Sequence, residues 1–147
     1  MKRFHVNIAV KDLDRSLRFY QDLFAAEPTV AKVDYAKWML DDPRINFSIT
    51  QSDSKRGIQH LGLQAESMQE LGEIQQRLST AGQKTVDQAE TECCYARSSK
   101  SWLRDPDEVS WETFFTHGQI THYGGEFVDA REMLKPPADP VGKRCCA

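Results

Sequence analysis

The sequence has no apolar run approaching the ~20 residues that a bilayer-spanning helix needs, no stripe of Lys and Arg, and no cysteines spaced as a disulfide framework. The net charge is −3 with both signs interspersed, so nothing in the chain would neutralise a row of phosphates, and nucleic acid is excluded as a partner. No Lys/Arg run flanks a hydrophobic helix, which excludes a membrane surface as well. The opening stretch MKRFHVNIAV is broken by Asn7 and then by Lys11-Asp12, so it reads as a strand rather than an export signal. The expectation is a cytoplasmic protein in a reducing compartment, where four cysteines serve as thiols. They fall into two adjacent pairs, Cys93-Cys94 and Cys145-Cys146.

What is present is enough for a real core. Of 147 residues 39% are apolar and 10% aromatic, which suits one domain or two very small ones. FHVNIAV at 4–10 reads as a strand, and DLDRSLRFYQDLF at 12–24 puts Leu13, Leu17, Tyr20 and Phe24 on one helical stripe. Strand-like runs follow near 28–33, 35–40 and 45–51, the last two joined by a turn at Asp41-Asp42-Pro43. The plan then repeats. GIQHLGLQA at 57–65 is a strand, and 67–81 is a helix opened by the capping box Ser67-x-x-Glu70, with Met68, Leu71, Ile74 and Leu78 as its stripe. Runs near 84–90, 96–103 and 108–115 complete the second unit, with Asp105-Pro106-Asp107 as the matching turn.

His5 stands seven residues before the helix start at Asp12, and His60 seven before Ser67. The pattern predicts an α+β fold of two βαβββ modules, about 3–52 and 56–116, within a domain spanning 1–116, followed by a partly flexible tail at 117–147. From His5 to Pro43 is 38 residues and from His60 to Pro106 is 46, so the second module carries about eight more between its histidine and its turn. That surplus is expected in a longer loop around Cys93-Cys94.

Side chains alternate along a strand, so His5 and Asn7 share the face opposite Phe4, Val6, Ile8 and Val10. The same rule groups His60, Gly62 and Gln64, and later Ser110, Glu112 and Phe114. The apolar faces should meet the helices and the polar faces should line a common cavity. Two His and one carboxylate from different strands can take one face of an octahedral metal and leave the other positions free, the arrangement of non-haem Fe(II) oxygenases. Aligning DDPRINFSIT with DPDEVSWETF places Ser48 where the second unit has Glu112, so three of four equivalent positions carry ligands and the centre stays open. His117 and His122, expected beyond the last strand, read as surface residues.

The two βαβββ units, VKDLDRSLRFY after a strand His, the second His in GIQHLGL, and WETF near residue 113 resemble the vicinal oxygen chelate superfamily, which includes glyoxalases, bleomycin resistance proteins and extradiol dioxygenases. The finer resemblance, carried by ECCYA and WETFFTHG, is to the group of organoarsenical dioxygenases (carbon-arsenic lyases) and cadmium-induced proteins. It implies His5, His60 and Glu112 as the catalytic Fe(II) ligands, and Cys93 and Cys94 as thiols for trivalent arsenic. It implies as substrates dioxygen and a trivalent organoarsenical, methylarsenite or an aromatic one, and as physiological role organoarsenical resistance through release of arsenite. Soft arsenic suits thiolates, and adjacent thiols share one short segment, which lowers the ordering cost. Cys145-Cys146 follows KPPADPVGKR and is either an accessory arsenic-binding pair or an idle end. The fourth protein ligand of a glyoxalase is missing at Ser48. Two alternatives stay open: a thiol-based cadmium or arsenite-binding resistance protein without catalysis, and another extradiol-type dioxygenase in which the thiols are idle. Monomer and homodimer are both compatible with the sequence.

Overall fold

The computed structural model describes residues 1–93 and 95–119. The first module runs β1 (Arg3–Val10), α1 (Leu13–Phe24), β2 (Val30–Ala31), β3 (Tyr35–Asp41) and β4 (Arg44–Gln51). The second runs β5 (Gly57–Gln64), α2 (Met68–Thr80), β6 (Val86–Cys93), β7 (Ala96–Arg104) and β8 (Ser110–Gln119). Each is a βαβββ unit, and the fold is α+β. All eight strands form one sheet in the order β2-β3-β4-β1-β5-β8-β7-β6. The modules join through the antiparallel pair β1–β5, and each first strand pairs in parallel with the last strand of its own module.

The helices start where the side chains can satisfy their free N–H groups. Asp12 accepts from the Arg15 amide at 2.9 Å, and Ser67 from the Glu70 amide at 3.1 Å. In α2 the Glu70 carboxylate reaches back one residue further than a standard capping box, to the Glu66 amide. Val10, Leu13, Ala36, Trp38, Phe47 and Ile49 make the core of the first module, with Val6, Ile8, Leu17, Tyr20 and Phe24 packed against it. Each large side chain buried in this way is worth about 1.5–3 kcal/mol. That gain holds the register, because a slip of one residue would turn this apolar set to the other face. Among the described residues no helix is long and apolar enough to cross a membrane.

Three expectations need correction. The surplus of the second module is not a loop around the cysteines: it lies in longer strands. β6 spans eight residues against two in β2, and it pairs with β7 up to Cys93↔Ala96. Hydrogen bonding to β7 takes into the ladder the extra residues whose number had suggested a loop. Secondly, β8 runs on to Gln119, which takes His117 out of the tail and into the sheet, with Nε2 2.9 Å from the Ser99 hydroxyl. Thirdly, Phe4 and Met68, assigned to the apolar faces, are exposed, because each lies at the margin of its element, beyond the reach of the packed layer.

The sheet is strongly curved. Tyr95, at the β6–β7 tip, donates to Asp34 at 2.7 Å, packs its ring 5.9 Å from that of Tyr35, and lies under the Lys32 ammonium. Opposite ends of the strand order therefore meet across the concave face.

Candidate metal centre

His5 comes from β1, His60 from β5 and Glu112 from β8, and the concave face gathers them. Register does this: Asn7 pairs with His60, His5 with Gly62, and Gly62 with Glu112. All three residues are buried, with 6%, 8% and 5% of their surface exposed. The His5 and His60 Nε2 atoms are 3.1 Å apart, and Glu112 Oε2 is 3.8 Å from the first and 3.5 Å from the second.

The donor set fits a divalent metal. Adjacent ligands each ~2.1 Å from one ion stand about 3 Å apart, close to the spacing of the two imidazole nitrogens. His5 Nδ1 lies 2.8 Å from the Asn46 carbonyl. A carbonyl only accepts, so Nδ1 carries the proton and Nε2 presents its lone pair to the centre. Burial, reinforced by the neighbouring His60, pushes the His5 pKa down to about 4, so the ring is neutral at physiological pH. Burial alone would favour a neutral Glu112, but the Lys100 ammonium, and after it the neighbouring His60, outweigh it and hold the carboxyl below the usual range.

The walls are aromatic. Phe114 stands edge-on to His5 at 5.2 Å and Trp102 edge-on to His60 at 5.1 Å. Gly62 lies between the ligands for a steric reason: a Cβ there would come 2.4 Å from the Glu112 carbonyl oxygen. Ser48 of β4 is the counterpart of Glu112, since β1 pairs Asn7 with Ser48 as β5 pairs Gly62 with Glu112. Its hydroxyl accepts from Asn7 Nδ2 at 2.9 Å and brings no carboxylate to the centre.

Sequence reasoning missed Lys100, Trp102 and Gly62. Alternation in ARSSKSWLR puts Lys100 and Trp102 on one face, but a Lys there reads as solvent-facing until the tertiary fold buries it. Cys93 ends β6, paired with Ala96 of β7, and its side chain is outside the description. Cys94, His122, Cys145, Cys146 and the tail from 120 onward lie outside the described residues.

Residues 2–113 match the family described as the Glyoxalase/Bleomycin resistance protein/Dioxygenase superfamily. The chain is 32% identical over 148 residues to a probable trivalent organoarsenical cleaving enzyme of Bacillus subtilis, covering 99% of this chain and 100% of that one. It is 42% identical over 119 residues to a trivalent organoarsenical cleaving enzyme of Bacillus sp. strain MD1, covering 79% of this chain and 74% of the relative. An extradiol ring-cleaving dioxygenase from B. fuscum shares the fold at a TM-score of 0.60 and 14% identity, over 79% of this chain and 32% of that one.

Proposed function

The chain belongs to the glyoxalase, bleomycin resistance protein and dioxygenase superfamily, and on that premise we propose that it is an Fe(II)-dependent dioxygenase that cleaves the carbon-arsenic bond of trivalent organoarsenicals. One observation carries the reading: His5, His60 and Glu112 converge at a buried centre while the fourth equivalent position holds Ser48. A closed structural site would use four protein ligands, whereas three leave positions for substrate and dioxygen. The names of the relatives direct that open centre toward arsenic.

Each residue has a role in this reading. His5 offers a neutral nitrogen, His60 offers a second imidazole nitrogen, and Glu112 supplies one negative oxygen. Trp102 and Phe114 restrict water around the ligands, which strengthens electrostatic interactions there. Cys93 and Cys94 hold the arsenic of methylarsenite or an aromatic arsenical as thiolates, so that its organic group is presented to the centre. Fe(II), when bound, supplies activation of dioxygen. Oxidation at the carbon attached to arsenic then releases arsenite and an oxidised organic fragment. The reaction belongs in the cytoplasm, where the thiols stay reduced, and it would confer resistance to organoarsenicals.

The test is anaerobic loading with Fe(II), addition of methylarsenite and dioxygen, and chromatographic separation of the arsenic species. Arsenite should appear with consumption of dioxygen. Methylarsenite recovered unchanged while thiol-bound would overturn catalysis and leave a sequestering protein.

A further inference from the structure

The carboxylate of Glu112 has two oxygens, and the structure uses them differently. Oε2 faces the two imidazole nitrogens, at 3.8 and 3.5 Å. Oε1 accepts from the Lys100 ammonium at 2.7 Å. Lys100 is itself buried, 7% exposed, and its Nζ lies 5.7 Å from the Trp102 ring centroid. A buried Lys is costly unless its charge is met, and here a carboxylate and a ring face both meet it.

The surroundings fix this geometry. Trp102 donates from its indole nitrogen to Gln88 at 3.1 Å and stands edge-on to His60, so the ring beside Lys100 cannot swing freely. Lys100 pairs with Phe114 across the β7–β8 ladder and Trp102 pairs with Glu112. The ammonium therefore reaches the carboxylate along the diagonal of two neighbouring pairs on one face.

We infer that Lys100 is a positioning residue that holds Oε1 of Glu112 away from the metal, so that Glu112 binds through one oxygen only and a further coordination position stays open to exogenous ligands. The inference rests on the reading of His5, His60 and Glu112 as metal ligands. It has a second consequence. Lys100 balances the negative charge of Glu112, so a bound divalent ion keeps most of its own charge and favours anionic ligands at its open positions. Lys100 acts through the carboxylate.

The experiment uses Co(II)-loaded full-length protein, its visible spectrum and titration with azide, none of which depends on turnover. In Lys100→Met, of similar length but uncharged, Oε1 is released to the metal. The ligand-field bands should shift and weaken toward a higher coordination number, and the azide dissociation constant should rise roughly tenfold, within the usual reach of residues that orient metal ligands. Lys100→Arg, which keeps the charge and the hydrogen bond, should restore the spectrum and azide binding toward the starting values. A Lys100→Met protein with an unchanged spectrum and azide affinity overturns the inference. If Lys100→Met does not fold, Lys100→Gln is read by the same two measurements and with the same expectation. Wild-type protein that takes up no Co(II), or a His60→Ala protein that takes it up normally, overturns the metal reading itself, which is a different failure.

Discussion

In the second half of the sheet, Gly62 on β5 faces Glu112 on β8; in the first half, Asn7 on β1 faces Ser48 on β4. The registers correspond, so these are two versions of one pair. A bare glycine beside a large acid delivers a carboxylate to the centre, whereas a large amide beside a small hydroxyl closes on itself through the bond from Asn7 Nδ2 to Ser48 Oγ. Asn7 also reaches the Thr50 hydroxyl at 3.2 Å, which ties it further to β4. One scaffold thus builds a ligand position and a non-ligand position by exchanging which strand carries the bulk. The contrast teaches that openness at the centre comes from a compensated pair rather than from one absent acid.

The comparison can be broken most severely at His60. His60→Ala should abolish Fe(II) binding and turnover while far-UV circular dichroism stays unchanged, because the ring stands on a strand held by the sheet; metal content and arsenite release check both. Next in size are the thiols. Cys93→Ser or Cys94→Ser should eliminate retention of trivalent arsenic and cleavage with iron content preserved, since a hydroxyl is a poor ligand for a soft centre. Truncation after Pro136 should leave most activity, and a dead truncation would mean that Cys145 and Cys146 belong to the site.

A smaller effect is expected at the glycine. Gly62→Ala forces its Cβ against the Glu112 carbonyl, so unfolding in urea should show a loss of about 1–3 kcal/mol and bound iron should fall. The equivalence of the two pairs is sharpened by rebuilding one as the other. Ser48→Glu alone meets Asn7, whereas Asn7→Gly with Ser48→Glu reproduces the second-module pair. The double variant should still bind iron yet turn over roughly tenfold more slowly or worse, because the fourth position is filled. Unchanged turnover at full iron occupancy would show that the two pairs are not interchangeable.

The gentlest test is pH. His5 is held neutral down to about 4, whereas the unfolded ring takes a proton below 6.5. Between those values the unfolded state binds more protons, so the stability of the metal-free protein should fall as pH is lowered through this window, by at most about 1.4 kcal/mol per pH unit from this group. His5→Gln should flatten that slope in chemical denaturation measured from pH 7 to pH 4.5.

Much of the fold could be read from period alone. Repeated strand-helix order, with His5 and His60 each seven residues before a helix cap, determined two like modules, and alternation determined which residues share a face with each His. These are local properties of one chain segment. Aligning the turns Asp41-Asp42-Pro43 and Asp105-Pro106-Asp107 was enough to match Ser48 with Glu112, a match the strand registers reproduce. What only the tertiary structure decided involves contacts between segments far apart in the chain. Lys100 becomes a partner of Glu112 because β7 lies beside β8 and the curved sheet excludes water there. Gly62 is obligatory because β8 passes close behind it. The hairpin tip after Cys93 meets Asp34 only because the sheet bends its two ends together. Local pattern decides which face a side chain takes, but burial and the identity of the neighbour depend on how distant strands close over that face.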